Sequence, residues 1–395
     1  MCRWPWTSAR AAVGEKRTSV KRRTILFCFG TRPEAIKLAP VIGQLGKFPK
    51  EFRVLVLVTA QHRHILDHTL DLFGIGPDFD LNIMRRRQSL TDVTVKALRG
   101  IETVLERVRP DMVVVQGDTT SALASALAAY YRRIPVGHVE AGLRTKDKYA
   151  PYPEEMNRRL IGSLADIHFA PTKWARDNLL KEGVPRGRVH VTGNTVIDAL
   201  LMALASDKRW SVPVLDKIPA EHRLILVTAH RRENFGAGMH RICRALAAIV
   251  RRNRDAEIIY PVHPNPNVRE PVNSILGGRE RIHLVEPLEY LPFARLMERA
   301  YLILTDSGGI QEEAPALGKP VLVMRDKTER PEAVKAGTAW LVGTDVRRIV
   351  STTEHLLRSL TAYHKMARAH NPFGDGKAAK RIVIALRSFF RANLD

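Results

Sequence analysis

The sequence predicts an α/β protein that contains two successive doubly wound parallel sheets. Its 395 residues exceed the size at which one hydrophobic core usually stops growing, which predicts two domains. Short apolar runs alternate with longer segments of helical period, the pattern of parallel βαβ units. A stretch at 206–221 contains two prolines and separates two such series. Ligands of these folds bind beyond the carboxyl ends of the strands, so we expect functional residues in the loops that follow strands.

The strands can be placed on the sequence from the apolar runs. The first series begins at Thr24 and has candidate strands at 24–30, 53–59, 112–117, 135–139 and 167–170. The second series follows a break near Val191 and has candidate strands at 224–229, 257–262, 282–285, 301–305, 320–324 and 338–342. These runs predict domains at 24–192 and 193–376. An amphipathic pattern at the end of the chain predicts a helix at 377–395 that completes the first domain.

The chain is strongly basic, with 63 Lys and Arg residues against 41 Asp and Glu residues and a net charge of +22. Such an excess favours a substrate or partner of negative charge. Nucleic acid is not the expected partner, because the charge is spread along the chain and only 6% of residues are aromatic. Residues 1–23 form a basic arm without the apolar run of a secretory signal, and we expect this arm to be disordered.

Two further features of the composition bear on localisation and metal content. No stretch approaches the roughly 20 apolar residues that a membrane helix needs, so we expect a soluble protein with no membrane partner. The chain has three cysteines and no CxxC pair. That usage fits a reducing cytoplasm and predicts no structural metal site.

The first strand leads into a turn that suits a pyrophosphate group. Gly30 is followed by Thr31, Arg32 and Pro33 at the start of a helix that reaches Lys37. Helix N-termini attract anions through the helix dipole and free amide N–H groups, and the two basic side chains add to this attraction. Taken alone, the motif also fits an ordinary solvated helix start.

A second anion-binding turn is predicted in the other domain. Ser307, Gly308 and Gly309 follow an apolar strand and open a helix, and adjacent glycines let phosphate oxygens approach the backbone. Glu313 in that helix can accept both hydroxyl groups of a ribose, because a carboxylate has lone pairs for two donors. Arg330 follows the next strand, where it can reach the same phosphates.

Three carboxylates of the first domain are placed at strand ends, namely Asp118, Glu140 and Glu154. In a shared cleft their mutual repulsion raises at least one pKa and creates the separate acid and base roles that proton transfer needs. The alternative is that one or two of them cap helices or pair with Arg144 and Arg158. Their placement is the most informative feature of the sequence.

Two histidines, His230 and His263, follow strands of the second domain. A lone histidine more often has a structural role, but two at equivalent strand ends favour contact with a ligand. The sequence contains no Walker loop, no GxGxxG turn and no GxSxG elbow. Hydride and acyl chemistry therefore lack their usual sequence motifs.

These motifs closely resemble those of the non-hydrolysing UDP-N-acetylglucosamine 2-epimerases. The resemblance covers nearly everything after residue 24 and is carried by the segments GTRPEAIKLAPV, TAQHRHILD, VQGDTTSALA, HVEAGLRT, PYPEEMNRR, GNTVIDAL, TAHRRENFG, YPVHPNP, LTDSGGIQEEAPALGKPVLVMRDKTERPEA and NPFGDGKA. It implies two Rossmann-like domains that face each other across a cleft, the GT-B arrangement that one large class of glycosyltransferases also uses. The basic arm lies outside the resemblance.

The resemblance also implies an activity. Family members are isomerases that interconvert UDP-N-acetylglucosamine and UDP-N-acetylmannosamine without a redox cofactor. They eliminate UDP to form 2-acetamidoglucal and add it back with inversion at carbon 2. A homodimer and the supply of precursors for cell-surface polysaccharide are implied in the same way.

Residue roles carry over from the matching motifs. The implied catalytic residues are Asp118, Glu140, Glu154 and His230. The implied substrate-binding residues are Arg32, Lys37, Phe293, Ser307, Gly308, Gly309, Glu313 and Arg330. A second molecule of UDP-N-acetylglucosamine is implied as an allosteric activator, bound by Gln61, His64, Arg87, Arg231 and His263. His64 departs from the family pattern, which has Gln at that position.

Two other functions compete with this interpretation. A UDP-sugar-dependent glycosyltransferase of the same fold would transfer the sugar to an acceptor and leave UDP as product. Such an enzyme needs one base near the acceptor and has no use for acid and base groups on both faces of carbon 2. A non-catalytic nucleotide-sugar sensor would bind its ligand tightly without turnover.

Overall fold

The computed structural model describes residues 22–59, 63–85 and 88–392, and in residues 63–65 it describes only the backbone. The predicted basic arm at 1–23 therefore lies outside the described residues except for its last two positions. Within the described part of the chain, the structure has two parallel sheets, each flanked by helices. We refer to the first sheet with its helices as the first lobe and to the second as the second lobe.

The first sheet has seven parallel strands in the order β3-β2-β1-β4-β5-β6-β7. Its strands are β1 Arg23–Phe29, β2 Phe52–Val58, β3 Phe79–Asp80, β4 Met112–Gln116, β5 Val136–Val139, β6 Ile167–Ala170 and β7 Val189–Val191. The second sheet has six parallel strands in the order β10-β9-β8-β11-β12-β13. Its strands are β8 Arg223–Thr228, β9 Ala256–Pro261, β10 Ile282–Val285, β11 Leu302–Thr305, β12 Val321–Val323 and β13 Ala339–Leu341.

Helices connect the strands as crossovers. They are α1 Arg32–Gly46, α2 Arg63–Leu72, α3 Leu90–Val108, α4 Thr120–Tyr131, α5 Glu154–Leu164, α6 Lys173–Lys181, α7 Thr195–Leu204, α8 Ala237–Arg252, α9 Pro266–Leu276, α10 Tyr290–Arg299, α11 Gly308–Glu313, α12 Pro331–Ala336, α13 Val346–Arg358, α14 Leu360–Ala367 and α15 Ala378–Ala392. Of the helices described, none combines the length and the apolar character that crossing a bilayer requires.

Each sheet is buried on both faces, as the continuous apolar strands predict. Alternate residues of β1 point to opposite sides, so Ile25 and Phe27 pack with α1 and α15 while Leu26 and Cys28 pack with α3 and α4. The same alternation occurs in β8 of the second lobe. In both sheets the strand order reverses beside the first strand, at β1/β4 and β8/β11, which is where ligands of doubly wound folds bind.

The predicted fold class is confirmed, and every predicted strand is present with each end within one residue of its expected place. Two strands were not predicted, β3 and β7. They have only two and three residues, too few for an apolar run to stand out. The predicted linker at 206–221 contains a short 3₁₀ turn, Pro213–Lys217. The domain boundaries at 24–192 and 193–376 stay a prediction.

The last helix, α15, packs against the first lobe although it follows the second lobe in sequence. Its apolar residues belong to the same core as Ile25 and Phe27. Arg387 of this helix donates two hydrogen bonds to Glu51, at 2.8 and 2.6 Å. At its start, the backbone N–H groups of the first two residues donate to the carboxylate of Asp198 in α7, at 3.1 and 2.9 Å.

The chain passes between the lobes at 192–194 and at 371–376, and these two segments lie side by side. The backbone N–H of Asn194 donates to the carbonyl oxygen of Phe373 at 2.6 Å. Gly193 and Gly374 face each other with φ angles of 89° and 136°, which L side chains rarely adopt. A Cβ atom on Gly193 would lie 3.4 Å from the Cα atom of Gly374. That distance is an ordinary contact, so the positive φ angles are what favour glycine where the two crossings touch.

Candidate active site

Two adjoining pockets lie where the lobes face each other. The acidic pocket, about 270 Å³, is lined mainly by first-lobe residues that include Glu34, Lys37, Gln116, Asp118, Glu140, Arg144 and Arg158. The large pocket, about 540 Å³, is lined mainly by second-lobe residues that include His230, His263, Tyr290, Phe293, Ser307, Gly309 and Glu313. Pro33, Lys37 and Arg330 line both. The two pockets therefore share a cationic boundary.

Glu34 fixes the turn between β1 and α1. One of its carboxylate oxygens accepts hydrogen bonds from the backbone N–H groups of Gly30 and Thr31 at 3.0 and 2.8 Å. The other oxygen accepts from the hydroxyl of Thr119 at 2.7 Å. Two amide groups that the sequence offered to a pyrophosphate are thus already paired. The attraction for an anion at this turn depends on Arg32, which lines the large pocket, and on Lys37.

Both carboxylate oxygens of Glu140, in the acidic pocket, accept hydrogen bonds. Lys37 donates to both of its oxygens at 2.7 and 2.6 Å, Asn194 donates at 3.1 Å, and the amide of Gln116 also donates. Its backbone has a φ of 62°, an uncommon value for a residue with a side chain, directly after β5. Burial raises the pKa of Glu140, but Lys37, Arg330 and Asn194 lower it by more. The carboxylate is therefore held in its ionised form.

Asp118 follows β4 and has the opposite electrostatic character. Burial is the main cause that raises the pKa of its carboxyl, the nearby charges of Glu140 and Glu154 add to it, and Arg158 opposes it. Arg158 contacts the carboxylate at 2.6 Å. Neighbouring carboxyl groups whose pKa values shift in opposite directions are a signature of paired acid and base roles.

Glu154 does not line either pocket. It begins α5, and its Oε2 atom is buried without a hydrogen-bond partner among the described residues. Its charge reaches Asp118, whose pKa it raises. The alternative that these carboxylates pair with two arginines holds for Asp118 alone, because Arg144 pairs with Glu182 at 2.6 Å. The acid/base role of Glu154 stays a prediction.

The glycine turn of the second lobe opens α11. Ser307 and Gly309 line the large pocket, and Phe293 of α10 lies in the same wall. Gly308 lines neither pocket, and a Cβ atom on it would lie 3.6 Å from the guanidinium of Arg231. Tyr290 donates a hydrogen bond to Glu313 at 2.9 Å.

Glu313 is buried in the wall of the large pocket. That burial raises the pKa of its carboxyl to about 7, against the hydrogen bond from Tyr290. At neutral pH the carboxyl is therefore poised between its charged and neutral forms. An ionised Glu313 can accept two hydroxyl groups from a bound molecule.

His230 is positioned by Asp306, which is fully buried. The backbone N–H of His230 donates to both oxygens of this carboxylate at 3.1 and 2.9 Å, and Asn234 donates at 3.0 Å. The imidazole of His230 stacks on that of His263 with 5.5 Å between ring centroids. Burial lowers the pKa of His230 more than Asp306 raises it, so the ring is neutral at neutral pH.

A chain of polar contacts connects the two lobes behind the pockets. Asn194 donates from its amide to Glu140 of the first lobe and, at 2.7 Å, to Glu312 of the second. Arg330 in turn donates from Nε to Glu312. Burial raises the pKa of Glu312, against the charges of Arg330 and Lys37. These contacts join the carboxylate of Glu140, in the acidic pocket, to the guanidinium of Arg330, which lines both pockets.

The comparison with known families covers most of the chain. A sequence model of the family described as UDP-N-acetylglucosamine 2-epimerase matches residues 47–387. The chain belongs to this family. The UDP-N-acetylglucosamine 2-epimerase of Escherichia coli strain K12 is 57% identical over 373 residues, which cover 92% of this chain and 98% of that protein.

Solved structures support the same assignment. The crystal structure of UDP-GlcNAc 2-epimerase from Neisseria meningitidis bound to UDP-GlcNAc is 48% identical, with a TM-score of 0.84 over 92% of this chain and 100% of that one. A glycosyltransferase structure from Rickettsia africae is 13% identical, with a TM-score of 0.58 over 95% of this chain and 97% of that one. This second likeness shows the fold alone, and the epimerase-family chain therefore has the GT-B type of two-domain fold.

Several residues of this family member were not assigned a role from the sequence. Four such residues lie in the quoted motifs, but none carried a distinguishing signal beyond being a polar residue at a strand end, after a strand, at a helix start or within a helix: Gln116, Asn194, Asp306 and Glu312. Their importance comes from partners that are distant in sequence. Asn194, for instance, is 54 residues from Glu140 and 118 from Glu312.

The predicted regulatory site is only partly described. Gln61 and Arg87 lie outside the described residues, and so does the side chain of His64. His263 lines the large pocket against His230. Arg231 lines neither pocket and contacts Glu329 at 3.6 Å. In the described part of the chain, no group of three or more His, Cys, Asp and Glu side chains is arranged to hold a metal ion.

Proposed function

We propose that this protein interconverts UDP-N-acetylglucosamine and UDP-N-acetylmannosamine. The observation that carries the proposal is the pair of adjoining pockets. One holds carboxyl groups with oppositely shifted pKa values, the other has a glycine turn and a buried carboxyl group that suit a nucleotide, and Lys37 and Arg330 lie at the boundary. The names of the Escherichia coli and Neisseria meningitidis relatives support the same substrate.

The chemistry requires elimination, because carbon 2 of the sugar has no adjacent carbonyl group to acidify its proton. UDP leaves from carbon 1 and takes the electron pair of the C1–O bond. The positive character that develops in the ring acidifies the proton on carbon 2, which a carboxylate then removes. The product pair is UDP and 2-acetamidoglucal. UDP then adds back to carbon 1, and a proton adds to carbon 2 from the face opposite to the one that lost its proton, which completes the inversion.

The residues divide these tasks by charge. Arg32, Lys37 and Arg330 stabilise the departing diphosphate, which is the charge that develops in the transition state. Glu140, held ionised, is suited to remove the proton from carbon 2. Asp118, whose pKa is raised, is suited to return a proton from the other face. His230 is neutral and borders the diphosphate on the side of the large pocket.

The nucleotide is held by the second lobe. The amides at the start of α11, with Ser307 and Gly309, face the phosphates, and Glu313 accepts the ribose hydroxyls. Phe293 borders the uracil. A pocket of about 540 Å³ is of the size that encloses a ligand of this kind.

The proposal includes an allosteric activator and a homodimer. A second UDP-N-acetylglucosamine would use Gln61, His64, Arg87, Arg231 and His263, and the position of His263 beside His230 supports communication with the active site. Exposed apolar residues on α3 and α4, which are Leu90, Val95, Tyr130 and Tyr131, support association of two copies. Rate curves against substrate concentration and light scattering of the purified protein test the two points.

The main test is incubation of the protein with UDP-N-acetylglucosamine in deuterated water, followed by NMR of the sugar. We expect deuterium at carbon 2 together with a mannosamine product. Release of UDP only when a sugar acceptor is added would favour the glycosyltransferase. Tight binding without turnover would favour the sensor. Either of those outcomes contradicts the proposed function.

A further inference from the structure

Asn194 occupies a position that no other side chain in the described part of the chain shares, because its amide contacts one buried carboxylate from each lobe. It lies in the first crossing between the lobes and is 2% exposed. Its Nδ2 atom donates to Glu140 at 3.1 Å and to Glu312 at 2.7 Å. The two carboxylates are themselves 7% and 1% exposed.

The amide group suits this position for a physical reason. Two buried carboxylates with a shared neighbour repel each other unless a donor lies between them. An –NH₂ group has two hydrogens, one for each carboxylate. The other end of the same amide, Oδ1, accepts from the backbone N–H of Val196 at 3.2 Å and caps α7. Every polar atom of the Asn194 side chain is therefore used.

The contacts continue from Asn194 to the phosphate-binding cation. Arg330 donates to Glu312 through Nε and lines both pockets. The carbonyl oxygen of Glu312 accepts from the side chain of Asn371 at 3.0 Å, in the second crossing. Contacts with the two segments that join the lobes thus fix Glu140 of the first lobe and Arg330 of the second lobe relative to each other.

We propose that Asn194 is a positioning residue, which orients Glu140 for proton transfer and, through Glu312, orients Arg330 toward the diphosphate. The inference rests on the proposed function and extends it to the hinge between the lobes. Asn194 lines neither of the two pockets, and it acts through the two carboxylates. Its contribution is to couple the group that moves the proton to a group that stabilises the leaving UDP.

The titration of Glu140 reports on this arrangement, because charged and titratable groups surround it on every side. Lys37 of α1, Asp118 after β4, and Glu312 and Arg330 of the second lobe all act on Glu140. His138 of β5 is also near, but burial lowers the pKa of His138 to about 3 and keeps it neutral.

The first variant is Asn194→Asp, which keeps the oxygen that caps α7 and replaces the two-hydrogen donor with a third acidic group. We expect kcat to fall by about 10²-fold, the effect of a small misplacement of reacting groups, with KM changed by less than about threefold. The added charge raises the pKa of Glu140. The acidic limb of the kcat profile therefore moves to higher pH, which a purely structural role for Asn194 would not produce.

A second variant separates positioning from folding. Glu312→Gln keeps the shape of the side chain. In the double variant Asn194→Asp with Glu312→Gln, the contact between positions 194 and 312 again has one donor and one acceptor, with their places exchanged. We expect the double variant to recover a large part of the lost kcat, so that the two changes are not additive. Loss of a helix cap alone could not be recovered in this way.

The matched control is Asp345→Asn. This is an exchange between the same two residue types at an exposed helix N-cap, where Asp345 accepts from the backbone N–H of Arg348 at 2.8 Å. We expect wild-type kcat and pH profile. Should Asn194→Asp also keep the wild-type kcat and pH profile, the positioning role is wrong while the proposed function stands. Should the wild-type protein fail to epimerise, the proposed function is wrong.

Discussion

The two walls of the cleft differ in the kind of residue that each presents. The first-lobe wall carries carboxyl groups, Asp118 and Glu140, whose pKa values are shifted by burial and by paired cations. The second-lobe wall carries a glycine turn, an aromatic ring, two stacked histidines, and Glu313 with the tyrosine that donates a hydrogen bond to it. Under the proposed function, we expect proton transfer to depend on the first lobe and nucleotide affinity to depend mainly on the second. Variants of the two walls should therefore affect different measurements.

The largest expected effect is that of Asp118→Asn on turnover. The amide cannot give or take the proton, so we expect kcat to fall by about 10²–10⁴-fold. The affinity for UDP, measured by calorimetry, should stay within about threefold because most of the proposed nucleotide contacts lie on the other wall. Asp177→Asn is the control, since Asp177 pairs with Arg176 outside both pockets. A large loss of UDP affinity in Asp118→Asn would show that the two walls are not separate.

The next effect is that of Glu313→Gln on UDP affinity and on its pH dependence. With a pKa of about 7, Glu313 becomes ionised as the pH rises through neutrality, and only the ionised form accepts two hydroxyl groups. Wild-type binding should therefore strengthen from about pH 6 to about pH 8. We expect Glu313→Gln to weaken UDP binding by about 10-fold at about pH 8, because a charged hydrogen bond is lost.

The wild-type protein and Glu313→Gln must be compared at each pH, because UDP itself titrates in the same pH range as Glu313. A terminal phosphate has a pKa of about 6, and its contribution is the same with either protein. The ratio of the two affinities isolates Glu313, and it should grow as the pH rises. A ratio that does not change with pH would contradict the assigned role, and an unchanged kcat at saturating substrate would support the division between the walls.

The smallest effect concerns stability and tests which lobe the last helix serves. Asp198→Ala removes the acceptor for the first two N–H groups of α15, which should lower the free energy of unfolding by about 1 kcal/mol. Hydrogen exchange should increase in α15 and β1 of the first lobe. Asp345→Ala removes a cap of α13 and should act on the second lobe instead. If either variant increased hydrogen exchange equally in both lobes, the assignment of α15 to the first lobe would be contradicted.

The parts of the fold that the sequence predicted are those set by local pattern. Strands β1, β4 and β11 are continuous apolar runs, and a strand buried on both faces has no other pattern to show. β3 and β7 have no such run, because two or three residues at a sheet edge are placed by their neighbours rather than by their own composition. A helix start was predicted in the same way where a turn leads directly out of a strand, as the turn at Thr31 does before α1.

The candidate site was predictable only where each residue acts from its own strand end. Asp118, Glu140 and Arg330 were found for that reason, since the carboxyl ends of parallel strands meet at one edge. The role of Glu34 was missed because its carboxylate occupies amide groups that the sequence alone leaves free. The link through Asn194 was missed because it depends on two partners more than fifty residues away.

The return of α15 to the first lobe has a consequence for synthesis on the ribosome. Residues of β8–β13 emerge before the fifteen residues of α15, so the second lobe can complete its core first although it is translated later. Until the end of the chain emerges, Ile25 and Phe27 lack part of the apolar cover that α15 provides. A nascent chain stalled before Ala378 would carry a finished second lobe beside an unfinished first one.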